Sequence, residues 1–550
     1  MGGLCSCEDM MSPKSSTYLY DEDLSLDNPN DSLYSIVGLM TKVQRLGERY
    51  VLFGELRGDL MTVSPSADLG LQEISSFSPQ SGVEYLSRDD FYAVINHCNW
   101  IISKMGQAQA GGSSDVLYRE HAAAVLYRAW TYLQLGLAYG SVNWVTEPVL
   151  SLEGSEKDYP EVGLDELVRK LIAEVEPYAM EERPDYGMLE NVSSRRFFLV
   201  PSIFLADLYL YDGQYENAAR LYWQGITDNS TVIEDKRVAF SSNTQRLSLE
   251  TMAFTQTYGT ETISEIPYSQ SAKEYHPDLV NLSVNEDPAL RPAGWWIDQM
   301  ASMTYYFGSK SYVAASYSRA EEGGDLRGAV RYADGTWDAG GSVGLWANAS
   351  GSDREMMISK YYNLSDIFSG ATTPNTALGV AAGVTSVPLM RAPHAYLRFA
   401  EAVNRLGKPT LAYAVIRYGL SRETLADETK VDPVELESAQ PWLAWSDGKF
   451  DNNIGTAARG RGYGVAYPES VEENLPEGLD GEQLMLWVED RIADELAAET
   501  AFEGNRFFDL ARIARHRDDT GWFADRVSRR ADDPASVRAK LLDRANWFIR

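Results

Sequence analysis

The sequence predicts a mainly α protein in which helix pairs form a scaffold and long irregular loop and short-strand insertions interrupt it. Three observations carry that expectation. Apolar residues recur at three- and four-residue spacing through several long segments, the pattern of helices with one buried face. Glycines at Gly136, Gly213 and Gly407 stand beside small residues where successive helices must come close. Those glycines do not follow one fixed period, so the pairs cannot stack as a simple repeat array and other segments must lie between them.

From about Ser32 to Met61 the chain reads as a helix ending in Glu55-Leu56-Arg57-Gly58-Asp59-Leu60-Met61, followed by a loop with Pro65 and Pro79. A second helix runs from about Asp89 to Met105, with Phe91, Val94, Ile95, Cys98, Ile101 and Ile102 along its buried face, so Cys98 reads as a core residue. Arg119 to Gly140 is a long helix whose Tyr132-x-x-Leu135-Gly136-x-x-Tyr139 fits the signature of a tetratricopeptide helix. A second unit of that kind spans Arg196 to Ile226: helix Val200 to Tyr211, the turn Asp212-Gly213-Gln214, then Ala218, Ala219, Tyr222 and Trp223. A third runs from His394 to Leu420 around Leu406-Gly407-Lys408-Pro409, and the stretch Glu482 to Arg517 supplies a fourth. The scaffold is therefore tetratricopeptide-like without its period of about 34 residues. The chief insertions are about 229–389 and 427–480, and loops of such length in a compact protein are usually functional. The division expected is a tether and extended segment over 1–30 and one domain over 31–550.

Composition bounds the function. With 44% apolar, 11% aromatic and 23% charged residues among 550, the chain is of ordinary globular type. Lys and Arg number 49 against 80 Asp and Glu, a net charge of −31, which argues against nucleic acid and against anionic membrane surfaces as partners. No run approaches the roughly 18 apolar residues of a spanning helix. Three cysteines, Cys5, Cys7 and Cys98, build no disulfide framework. Leu4-Cys5-Ser6-Cys7 has the form of the end of a bacterial lipoprotein signal, with Cys7 as the acylated residue; two plain thiols in a frayed terminus is the other reading.

Catalytic signatures are weak. Gly340-Gly341-Ser342-Val343-Gly344 matches the G-x-S-x-G pattern, but Asp334-Gly335-Thr336-Trp337-Asp338-Ala339 before it is not the buried strand that a nucleophile elbow needs. Lys408 lacks the glycines of a phosphate-binding loop, and the five histidines show no metal-ligand spacing. A carboxylate pair for glycoside hydrolysis is made in space and has no sequence position. The expectation is no catalytic residue, no metal and no cofactor. Aromatic density is the feature that stands out. Between Trp295 and Tyr362, 12 of 68 residues are aromatic, about 18%, in a stretch rich in Gly, Ser and Asn. Flat rings on polar loops suit sugars, whose C–H faces stack while their hydroxyls meet Asp, Asn and Arg.

Glu495-Leu496-Ala497-Ala498-Glu499-Thr500-Ala501-Phe502-Glu503-Gly504-Asn505-Arg506-Phe507-Phe508-Asp509-Leu510-Ala511-Arg512 strongly resembles the signature of the SusD/RagB family of Bacteroidetes outer-membrane lipoproteins. Glu55-Leu56-Arg57-Gly58-Asp59, Tyr92 to Ile102, Arg128 to Pro148, and Tyr396 to Gly407 resemble further family blocks in family order, so the likeness covers about residues 30–517. The resemblance implies the SusD-like fold and a surface-exposed, non-catalytic glycan-binding protein of the outer membrane, held only by a lipid on Cys7. Its partners would be an oligosaccharide or polysaccharide and a SusC-like TonB-dependent transporter on which it sits as a lid. It also implies that the signal before Cys7 is absent from this sequence. The chain departs from the pattern in two places. It ends at Asp543-Arg544-Ala545-Asn546-Trp547-Phe548-Ile549-Arg550 where many relatives continue, which implies a shortened or divergent C-terminus, and its loop after Asp59 has no Trp. The stacking candidates are therefore Trp295, Trp296, Tyr306, Trp337 and Trp346, with Asp68 from the short loop as the hydroxyl-binding candidate.

Glu503, Arg506, Asp509 and Arg512 follow one another at three-residue spacing, so opposite charges alternate along a helix face and can pair locally. They read as a structural ion network. Two other functions stand beside glycan capture: a peptide-binding scaffold of the tetratricopeptide kind, and a glycosidase.

Overall fold

The computed structural model describes residues 26–549 apart from 27–28, 79–81, 110–114, 190–191, 234–238, 242–245, 249–260, 269–274, 276, 284–286, 303, 307–318, 326, 332–336, 340–342, 348–353, 359, 362–385, 440 and 461–473. The protein is mainly helical, and its helices pack in pairs, two of them the expected units around Gly213 and Gly407. Asp89–Gln109 lies against Asp115–Tyr139, Pro201–Tyr211 against Tyr215–Asp228, and Ala392–Arg405 against Pro409–Arg417. Gly136 allows the third-element contact that its signature suggests: a Cβ there would stand 2.6 Å from Leu167 Cδ2 on helix Leu164–Val175. Ala218 and Ala219 are fully buried, so the two helices of their pair meet over small side chains, and Cys98 is a core residue as expected.

The pairs share one core. Helix Ala392–Arg405 is buried on nearly every side, touching Tyr215–Asp228, Pro409–Arg417 and Gly481–Thr500. Trp223 fills the junction, with ring centroids 5.4–6.4 Å from Tyr396, Phe399, Trp445 and Phe450. Its indole N–H donates to the Ala444 carbonyl at 3.1 Å, which satisfies the one polar atom that burial would otherwise orphan. Because Trp445 and Phe450 come from the second insertion, that segment is partly core rather than only surface loop.

One expected helix is broken, and the stretch expected as a fourth unit is itself two helices. The stretch from Ser32 to Met61 is helix Pro29–Gln44, helix Gly47–Val51, a π-helical turn Leu52–Leu56, and strand Met61–Val63. The Tyr268 hydroxyl donates to the Gln44 carbonyl at 2.7 Å, so it occupies the acceptor that a continuous helix would present four residues on. The stretch from Glu482 to Arg517 divides into Gly481–Thr500 and Arg506–Arg517. Phe502 and Gly504 between them have φ of 66° and 91°, a left-handed link that no helix continues through.

The first insertion is anchored at both ends. Strand Thr262–Pro267 pairs antiparallel with Ser386–Arg391, so the chain leaves and re-enters the scaffold at one place. Within it, Leu290–Pro292 pairs with Met61–Val63, and Thr304–Tyr306, Arg319–Gly324, Ala329–Arg331 and Trp337–Ala339 form a four-stranded antiparallel sheet. Among the described residues no helix is long and apolar enough to cross a membrane.

Candidate functional site

The conspicuous C-terminal run builds a buried polar hub. Glu55, on the π-helical turn, accepts the backbone N–H groups of Phe502 (3.1 Å), Gly504 (2.8 Å), Asn505 (3.1 Å) and Arg506 (3.3 Å). Two of these open helix Arg506–Arg517, whose first turn has N–H groups without helical partners. Arg506 closes a two-pronged pair with Asp59 at 2.6 and 2.9 Å. Blocks about 450 residues apart are thus one unit. The fit leaves no room for side chains, since a Cβ on Gly54 would lie 1.8 Å from the Gly504 carbonyl oxygen.

The charges around the hub pair across the fold, not along their own helix as the spacing suggested. Glu503 precedes the helix and meets Arg391 at 2.7 Å and Lys360 at 2.5 Å. Asp509 accepts from Arg398 at 3.1 Å, and Arg512 holds Glu401 at 2.7 and 3.0 Å. The one local pair is Arg512 with Asp509 at 2.6 Å. The reason is burial: this face of the helix is closed off from water, so its charges are satisfied by what lies opposite, Arg398 and Glu401 of helix Ala392–Arg405 among them. Burial alone would raise the Glu503 carboxyl, but Arg391, Lys360 and His394 bring it down to about 2. Burial lowers His394 to about 3, which keeps its ring neutral, and pushes the Glu55 carboxyl up to about 7 against the N–H groups that hold it down. A cavity of about 40 Å³ bordered by Asp207, Arg398 and Asn505 lies in this core and is too small for an organic ligand.

Two of the stacking candidates belong to the wall of that hub. Trp296 is 1% exposed and packs edge-on to Phe502 at 5.5 Å, so it presents no face to a ligand; it faces inward on helix Gly294–Ser302, where an apolar ring is needed against the left-handed link. Trp295 is half-buried, donates its indole N–H to the Asp59 carbonyl at 2.7 Å and lies under the Arg529 guanidinium at 5.2 Å. Tyr306 and Trp337 stand on the four-stranded sheet and Trp346 on strand Val343–Ala347, but their side chains, like the whole of Cys7, lie outside the described residues.

Asp68 stands elsewhere, at the rim of an open cavity of about 550 Å³. Its carboxylate caps helix Leu69–Ser75 by accepting the Gly70 N–H at 2.7 Å. The cavity is built from three parts of the chain: helix Gly47–Val51 with the turn before it, residues within 68–73 and 82–90, and Tyr275. Arg49 is tied to Asp90 at 2.7 Å, and the Arg45 guanidinium lies 5.9 Å from the Tyr275 ring centre. Glu48 accepts the Asp278 N–H at 2.5 Å. Tyr275 is 37% exposed, and Tyr85 is half-buried. Burial, then Glu48 and Asp68, pushes the Tyr85 phenol up to about 12; burial and Glu48 also raise Tyr275. Both hydroxyls therefore stay protonated at neutral pH and can donate.

This volume lies in the range of small-ligand sites. Two tyrosine rings, protonated hydroxyls, carboxylates and guanidiniums are what a polyhydroxylated ligand with apolar faces requires. Of the residues lining this cavity the sequence pointed to Asp68 alone; Tyr85, Tyr275, Arg45 and Glu48 were not among its candidates. The faint signal for Tyr275 is a lone aromatic in the polar stretch Ser269-Gln270-Ser271-Ala272-Lys273-Glu274 before Pro277.

No family profile matches the chain. Residues of the chain are 25% identical over 226 positions to the SusD-like protein P38 of Formosa agariphila, a match of 40% of this chain and 42% of that protein; it thus spans less than half the length of that relative. Among solved structures, a SusD superfamily protein from Bacteroides thetaiotaomicron superposes with a TM-score of 0.56 at 18% identity, covering 90% of this chain and 91% of the other. The surface glycan-binding protein A from Bacteroides uniformis does so with a TM-score of 0.57 at 14% identity, covering 93% of each chain.

Proposed function

The chain is SusD-like, by fold over about 90% of its length and by sequence over part of it, and from that premise we propose that it is a cell-surface glycan-binding lipoprotein. It captures oligosaccharide or polysaccharide without cleaving it and delivers it to a SusC-like TonB-dependent transporter in the outer membrane. Cys7 carries the lipid, and residues 1–30 are the tether. The observation that carries this reading is the open cavity of about 550 Å³ in which Tyr85 and Tyr275 stand among Asp68, Glu48 and Arg45. Sugars are held by a ring face against an aromatic and by hydroxyls shared between carboxylates and guanidiniums, and this cavity has each part. Tyr306, Trp337 and Trp346 of the first insertion are the further stacking residues of this reading, proposed from the aromatic density of that stretch.

The test is affinity electrophoresis through native gels containing plant, fungal, host and bacterial polysaccharides. The protein runs beside a Tyr85→Ala, Tyr275→Ala variant and a Trp337→Ala, Trp346→Ala variant. Retardation by one class of polysaccharide, lost in the first variant and weakened in the second, is the expected result. Retardation by none overturns the reading, and reducing ends released over time would make the protein a glycosidase instead.

A further inference from the structure

The cavity has an imbalance of charge that the buried hub does not. Among the described residues five carboxylates line it, Glu48, Asp68, Glu73, Glu84 and Asp90, against two guanidiniums, Arg45 and Arg49, which leaves 5 − 2 = 3 more acids than bases. Asp278 adds a sixth acid at the edge, beside Glu48. Of the two bases, Arg49 is already engaged by Asp90. Burial of Glu48 itself raises its carboxyl, and Asp278 and Glu84 add to the rise. A ligand in this cavity meets tyrosine rings and hydroxyls that accept any sugar, inside a field that is negative.

We propose that this cavity selects its glycan by charge: it takes neutral sugars, takes amine-bearing sugars more tightly, and turns away uronic and sulfated ones. This rests on the reading of the cavity as the glycan site. The argument is electrostatic and local. Carboxylates from two separate parts of the chain converge on one volume that is open to water, so a bound carboxylate or sulfate would sit within a few ångströms of several like charges. Each such pair costs about a factor of five in affinity at 4 Å in water, and more where water is displaced. Arg45 remains to donate to one hydroxyl or ring oxygen, but one guanidinium does not balance the rest.

The test uses matched polymers on one backbone: a neutral polysaccharide that retards the protein in the panel, its carboxymethyl derivative and its diethylaminoethyl derivative. In about 10 mM salt, where the screening length is about 30 Å, the carboxymethyl form should bind roughly tenfold or more weakly than the neutral one, and the diethylaminoethyl form more tightly. In about 1 M salt, with a screening length of about 3 Å, the three should converge. An Asp68→Asn, Glu84→Gln variant, in which Asn keeps the helix cap, should narrow the gap between neutral and carboxymethyl forms severalfold. Equal binding of neutral and carboxymethyl forms at low salt overturns the proposal while the glycan reading stands, as does retardation only by natural polyuronides or sulfated polysaccharides. Retardation by nothing in the panel overturns both.

Discussion

The buried hub and the open cavity are made of the same side chains, arginines and carboxylates, in opposite surroundings. In the hub, Glu503 has no exposure and is shared by Arg391 and Lys360, Asp59 is clasped by Arg506, and Glu401 by Arg512. In the cavity, Asp68 and Arg45 are exposed, and among the described residues acids outnumber bases. The difference follows from solvation. A charge removed from water costs several kcal/mol unless a partner of opposite sign replaces the water, so the hub is obliged to pair its charges. A charge left in water carries no such obligation, so the cavity can keep an excess that a ligand then experiences. Polar residues therefore stabilise the fold in one region and remain available for recognition in the other.

The comparison is broken most directly at Glu503. Glu503→Gln removes the carboxylate that Arg391 and Lys360 share in a sealed interior, and should cost about 3–5 kcal/mol in chemical denaturation. Because the folded-state carboxyl is lowered to about 2 from its ordinary 4.5, its contribution is fully present above about pH 4.5 and is lost as pH falls toward 2. The difference between native protein and variant should accordingly shrink from about pH 7 to about pH 3. A loss under about 1 kcal/mol at neutral pH would mean that water reaches the hub.

A smaller effect is expected at Gly54. Gly54→Ala drives a Cβ into the Gly504 carbonyl, and since both partners are backbone, the π-helical turn and the left-handed link must move apart. About 1–3 kcal/mol of destabilisation is expected, read as a lower denaturation midpoint with an unchanged slope. The smallest effect on stability belongs to the cavity: Tyr275→Ala should change it by less than about 1 kcal/mol while abolishing glycan retardation. If Tyr275→Ala instead unfolds the protein, the cavity is part of the framework and the contrast between the two regions fails.

Much of the scaffold is legible in the sequence because helices are local. The periodicity of Asp89–Gln109 and Asp115–Tyr139, the small residues at Gly136, Ala218 and Ala219, and the turn at Gly407 each report a contact whose geometry a few neighbouring residues decide. The break at residue 45 and the left-handed form of the link at 501–505 were not legible. The first involves the hydroxyl of Tyr268, more than two hundred positions away, and the second a link packed against Tyr50 and Gly54. The candidate site divides in the same way. Asp68 was legible from its short loop, whereas the aromatic cluster pointed to Trp295 and Trp296, which the hub absorbs: a ring in a polar stretch looks alike whether its partner is a sugar or a distant backbone.

By itself, then, the amino-acid sequence determined the helix pairs, their close contacts and the membership of Glu55–Asp59 and Glu503–Arg512 in one recognisable pattern, since each depends on residues within a turn or two. Tertiary structure alone decided which charge meets which, and that residues within 45–49, 68–73 and 82–90, with 275, enclose one cavity. Ion pairing and ligand recognition act through distances of a few ångströms in space, and the chain brings those distances about only when segments hundreds of residues apart are packed on the same core.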